Sequence, residues 1–90
     1  MDTFTASIFG RVQGVGYRYF VLNAVKNTAI KGFVQNQRNG SVLVVAEGNK
    51  KQLDILIEEL QLGPSTGRVD SCCVQWASSD GVFDDFQVKA

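Results

Sequence analysis

The sequence predicts an α+β sandwich: one antiparallel sheet with two helices packed on a single face. The expected order is β-α-β-β-α-β, with a short extra strand at the C-terminus. Three observations carry this. Apolar and polar residues alternate near the N-terminus, two later stretches repeat apolar residues at helical spacing, and an Asn-Gly pair separates two β-rich runs.

Phe4, Ala6 and Ile8 alternate with Thr3, Thr5, Ser7 and Phe9, the period of a half-buried strand ending near Gly10. Gly10 to Gly16 follows with three glycines in seven residues, a loop whose backbone needs unusual angles. Tyr17, Phe20, Val21, Ala24 and Val25 then form the stripe of an amphipathic helix, with Asn27 and Thr28 as stop residues. Gly32 to Gln37 and Ser41 to Glu47 read as strands joined at Arg38-Asn39-Gly40, a hairpin signal because Asn and Gly both tolerate positive φ. Asn49 and Gln52 have the spacing of a capping box. Leu53, Leu56, Ile57 and Leu60 supply a second helical stripe, stopped at Gly63-Pro64. Val69 to Ala77 is expected as a strand and Val82 to Val88 as a short last one. Right-handed crossovers build the split βαβ, or ferredoxin-like, sandwich from this order. Residues 1–90 are read as one domain, and the fold alone leaves function open.

Apolar residues make up 44% of the chain and charged residues 20%, an ordinary globular balance. Cys72 and Cys73 are adjacent, so on a strand they point to opposite faces and cannot readily bridge each other. They are read as small apolar strand residues in a reducing compartment. The N-terminal residues carry neither a basic leader nor a long apolar run, and no stretch reaches the ~20 apolar residues of a membrane helix. A soluble, cytoplasmic protein is expected, with no membrane partner.

Formal charge is zero overall but unevenly spread. Residues 1–45 hold Arg11, Arg18, Lys26, Lys31 and Arg38 against Asp2 alone, whereas residues 46–90 hold four cations against eight acids. A nucleic acid needs a broad basic surface, which this balance does not favour. A small anion needs only a local positive site.

The segment Gly10-Arg11-Val12-Gln13-Gly14-Val15-Gly16-Tyr17-Arg18 can provide one. Glycines let successive N–H groups turn inward as an anion nest. The following helix offers unsatisfied N–H groups and a positive dipole end. Arg18, in its first turn, adds a guanidinium able to grip two phosphate oxygens. Other phosphate motifs fit badly. No Gly-Lys-Ser/Thr follows as a Walker loop requires, and Tyr19 stands where a dinucleotide fingerprint wants glycine. Ser78 and Ser79 occupy the positions where a Cys-x5-Arg phosphatase needs arginine. The absence of histidine removes phosphohistidine chemistry and the commonest general base, and two adjacent cysteines are a poor zinc set.

GRVQGVGYR resembles the acylphosphatase signature, a glycine-rich loop ending in an essential arginine. A second family segment is matched by Gly32-Phe33-Val34-Gln35-Asn36-Gln37-Arg38-Asn39-Gly40-Ser41-Val42. Their separation, the element order and the length all agree, so the resemblance spans essentially the whole chain. It implies hydrolysis of the carboxyl–phosphate bond of small acyl phosphates. Arg18 would bind the phosphoryl group, with the amides of Gln13, Gly14, Val15, Gly16, Tyr17 and Arg18 completing the cradle. Asn36 would position the attacking water, whose proton the substrate phosphate itself can accept. No metal, cofactor or covalent intermediate is implied, and phosphate or sulfate is expected to occupy the loop. A monomer is expected.

The side chains of Arg11 and Gln13 are read as structural, Tyr17, Phe20, Trp76, Phe83 and Phe86 as core, and Lys50 and Lys51 as a solvated helix face. The competing reading is a non-catalytic anion-binding regulatory module on the same fold, which would keep the nest but not need Asn36. An RNA-recognition domain shares the element order, and Lys31-Gly32-Phe33-Val34 echoes its motif. Gln35 and Gln37 stand where that motif wants aromatics. A free-standing enzyme is expected rather than the related domain of a hydrogenase maturation factor, because the sequence runs from methionine to the domain's end.

Overall fold

The computed structural model describes residues 1–78 and 80–90. The chain forms β1 (Asp2–Arg11), α1 (Tyr17–Val25), β2 (Lys31–Asn36), β3 (Val42–Gly48), α2 (Lys50–Leu62), β4 (Arg68–Ser78) and β5 (Phe86–Lys89). The strands make one sheet of order β4-β1-β3-β2-β5. The first four pair antiparallel, while β5 joins parallel to β2, so the added strand makes the sheet mixed rather than wholly antiparallel.

The alternation in β1 sets the core. Phe4, Ala6 and Ile8 are fully buried and lie opposite Ala46, Val44 and Val42 of β3, and Val34 of β2 extends the row opposite Val44. Onto this row pack Tyr17, Val21 and Val25 of α1 and Leu53, Leu56 and Leu60 of α2, all buried. Both helical stripes thus face one layer. Truncating one of these leucines to alanine would cost about 2–5 kcal/mol, a large share of a small domain's stability.

Several local details differ from the sequence reading. In the turn between β2 and β3 only Gly40 adopts positive φ, at 90°. Asn39 instead uses its side chain, its Oδ1 accepting from the Ser41 amide at 3.0 Å and the Ser41 hydroxyl at 2.6 Å. Half of the capping box forms: Asn49 Oδ1 accepts from the Gln52 amide at 2.8 Å, but Gln52 Oε1 is buried without a partner. The last strand begins at Phe86, not Val82. The amides of Val82 and Phe83 are drawn away from any ladder to the buried carboxylate of Glu47, at 3.2 and 2.9 Å.

Trp76 is also not a core residue. It is 42% exposed on the edge strand β4, with Phe4 5.5 Å beneath it and the Lys50 ammonium 4.7 Å above. Phe20, Phe83 and Phe86 are half-buried, and Tyr17 alone of the five is fully enclosed. Cys72 is half-buried and Cys73 exposed, and both thiols are free. Burial, then the neighbouring Cys73, raises the pKa of Cys72. None of the described helices is long and apolar enough to cross a membrane.

Candidate active site

The loop between β1 and α1 is held by buried side chains and by long-range hydrogen bonds. Val12 is buried, and Val15 packs against the core while its carbonyl accepts from the Thr66 hydroxyl at 2.7 Å. Gln13 turns toward the β2–β3 hairpin, where its Nε2 donates to the Gln37 carbonyl at 2.7 Å and the Ser41 carbonyl at 2.9 Å. Tyr17 is buried, and its hydroxyl donates to the Leu60 carbonyl of α2 at 2.7 Å. Burial, with a smaller contribution from Cys72, holds that phenol far above its ordinary pKa.

Between these anchors, Gly14 and Gly16 take left-handed φ of 73° and 78°. A Cβ on either would meet no atom within 4 Å, so glycine is needed here for backbone conformation rather than for space. Gly16 also caps α1 without any side-chain hydrogen bond, and the first turn carries no acid. The first amide bonded along the helix is that of Phe20, to the Gly16 carbonyl at 3.0 Å. The amides of Tyr17, Arg18 and Tyr19 precede it and have no intrahelical acceptor.

Arg18 follows immediately. One of its nitrogens donates to the Lys89 carbonyl of β5 at 2.9 Å, which fixes the guanidinium and leaves most of its five donors uncommitted. A cavity of about 140 Å³ is lined by Val12, Gly14, Gly16, Tyr17, Arg18, Tyr19 and Asn36. The structure therefore brings Arg18, Gly14 and Gly16 to the same cavity as Asn36, which ends β2. Gln13 and Val15 are not part of this lining, because their polar groups and side chains are engaged with the hairpin, Thr66 and the core. Among the described residues no cluster of three or more His, Cys, Asp or Glu side chains forms a metal-ligand set.

Three supports were not visible in the sequence. The Lys89 carbonyl is a backbone group and leaves no compositional trace. Thr66 acts across 51 positions and Gln13 across 24 and 28. Only Gln13, a polar residue between buried Val12 and a glycine, could have hinted at a specific partner.

The protein is thus a small α+β sandwich in which a glycine-rich strand-to-helix loop, the arginine that follows it and an asparagine from the adjacent hairpin line one cavity. The acylphosphatase family model matches residues 4–88. An acylphosphatase from Salinibacter ruber is 40% identical over 94% of this chain and 90% of its own. One from Thermus thermophilus is 39% identical over 91% and 93%. The crystal structure of acylphosphatase from Bacillus subtilis superposes with a TM-score of 0.95 and 30% identity, covering all of both chains. The chain belongs to the acylphosphatase family, and its enzymatic activity is the hydrolysis of acyl phosphates.

Proposed function

We propose that Arg18 and the loop amides bind the substrate phosphate and that Asn36 positions the water that attacks it. The observation that carries this is the shared cavity, with Arg18, Gly14, Gly16 and Asn36 on its walls. The cradle consists of amides from Gln13 through Arg18, while the Gln13 side chain holds the loop against the hairpin.

The water oxygen attacks phosphorus opposite the acyl oxygen. The phosphorus–oxygen bond to the acyl group breaks, and a carboxylate leaves with the bonding pair. The water's proton passes to a phosphate oxygen of the substrate, so no protein base is required. A carboxylate is a good leaving group, and positioning with charge stabilisation can supply most of the acceleration. Arg18 and the amides neutralise the phosphoryl oxygens in both the bound and the transition state. Asn36 acts on the water, whose placement matters only on the way to the transition state.

The direct test is product inhibition in the presence of a chelator. Inorganic phosphate should compete with substrate in the parent and do so far more weakly in Arg18→Ala. Equal phosphate affinity in the two proteins would contradict the assignment of Arg18.

A further inference from the structure

A second opening adjoins the phosphate cavity. It is a groove of about 640 Å³ beside α1, walled by Tyr19, Leu22, Val25, Ala29, Ile30 and Phe86, with Lys26, Lys31 and Asp85 also on its lining. Tyr19 lines both openings. Tyr19 is 67% exposed and Leu22, one turn further along α1, is 37% exposed, so neither is consumed by the core. A helical side chain leans back over the preceding turn, which here directs Tyr19 toward the loop and Arg18. Leu22, Asn23 and Lys26 follow at spacings of three, four and seven, one continuous helix face leading away from the phosphate.

Resting on the assignment of the phosphate to the Arg18 cavity, we propose that this groove is the acyl subsite, selecting acyl phosphates whose acyl group is an extended apolar chain. A substrate with its phosphate in the loop must send its acyl group out of a cavity of about 140 Å³, too small for more than the phosphoryl group and a few atoms. Tyr19 is the residue common to that cavity and an apolar surface. From Tyr19 to Lys26 the helix rises about 10 Å, the length of roughly eight methylenes in extended form. Tyr19, Leu22, Val25 and Phe86 offer such a chain apolar contacts, whereas Lys26, Asn27, Thr28 and Lys31 gather at the end of the groove remote from Arg18, where an eight-carbon chain would stop. Tyr19 and Leu22 are then specificity-determining residues that touch the acyl chain and take no part in the chemistry.

The test is a homologous series of acetyl, butanoyl, hexanoyl and octanoyl phosphate, measured on the parent and on Leu22→Ser. In the parent, kcat/KM should rise about two-fold per methylene toward eight carbons, roughly half the logarithmic gain of a fully buried methylene because one side of the groove faces solvent. Leu22→Ser should flatten the series, lowering kcat/KM for octanoyl phosphate by about five-fold or more while leaving acetyl phosphate within two-fold. An unchanged melting temperature will show that the exposed substitution has not altered the fold. A flat series in the parent, or an octanoyl rate insensitive to Leu22→Ser, overturns the subsite and leaves the phosphate assignment standing. Failure of phosphate to discriminate between the parent and Arg18→Ala overturns both.

Discussion

The Tyr17 hydroxyl donates to the Leu60 carbonyl at 2.7 Å, filling the place of a backbone donor that the chain lacks. In a continuing helix Leu60 would accept from residue 64, but that residue is Pro64, which has no N–H. The same bond ties the start of α1, one residue before Arg18, to the end of α2. A helix-stop signal in one half of the chain thus helps to fix the glycine-rich loop in the other.

Tyr17→Phe should therefore destabilise the protein by about 1–2 kcal/mol at neutral pH, since it leaves a buried carbonyl unpaired. The pH dependence has a definite sign. The native phenol has a raised pKa, so the native state holds its proton where the unfolded chain has released it. The stabilisation is fully present below the unfolded value of about 10 and declines as pH rises above it. Denaturant unfolding at pH 7 and at pH 11 should show the parent's advantage over Tyr17→Phe shrinking at the higher pH. A constant difference would mean that the phenol is not protected.

Gln13 spans the two halves of the site. Its Nε2 holds the Gln37 and Ser41 carbonyls, which bracket the turn just beyond Asn36. Both carbonyls keep a second partner, from Gly40 at 3.2 Å and Gln37 at 2.8 Å, so Gln13→Ala should cost only about 1 kcal/mol of stability. Its effect should fall on kcat, by on the order of 10-fold, because small misplacements of a positioned group are expensive. Inhibition by phosphate should change little. A loss shared equally between kcat and phosphate affinity would show that Gln13 supports the cradle rather than the alignment of the two walls.

The loop glycines admit a cleaner contrast. Gly14 needs its φ of 73° but has open space around its missing Cβ. Gly14→Ala should weaken phosphate binding, because holding alanine in the left-handed region costs roughly 1–2 kcal/mol. Gly14→Asn should retain more of the binding, since asparagine visits that region more readily. Calorimetric titration with phosphate measures both. Parent-like affinity in Gly14→Ala would mean that the observed loop conformation is not the one that binds.

Much of the fold was legible because its periodicities are clean. The β1 alternation, the two helical stripes and the Gly63-Pro64 stop each point to one structure, and each element forms where its pattern lies. The misreadings at Val82–Phe83 and at Trp76 have different causes. Val82 and Phe83 have the composition of a strand, yet their amides bind Glu47, more than thirty residues away. Trp76 sits on an alternating strand, but β4 is a sheet edge, and edge position is decided by topology rather than by local sequence. In the site, Arg18, Asn36 and the glycines were visible through their motifs. The Lys89 carbonyl, Thr66 and the bridging role of Gln13 were not, because long-range hydrogen bonds to backbone groups leave little mark on composition.

Melting temperature offers an independent check on the anion site. A ligand that binds only the folded loop stabilises it by mass action, by about 2.7 kcal/mol at a hundred times its dissociation constant. Phosphate or sulfate should raise the melting temperature of the parent and of Asn36→Ala alike, and that of Arg18→Ala much less. A shift of equal size in all three would place the anion elsewhere on the protein.

The central claim is a division of labour between Arg18 and Asn36. It is tested most directly by measuring kcat and the phosphate inhibition constant for the parent, Arg18→Ala and Asn36→Ala on one acyl phosphate. Arg18→Ala should lose turnover and phosphate affinity together. Asn36→Ala should lose kcat by on the order of 10²-fold or more while keeping phosphate affinity near that of the parent. Near-normal kcat in Asn36→Ala would show that another group holds the water, and the adjacent Gln35 and Gln37 would be the next to test.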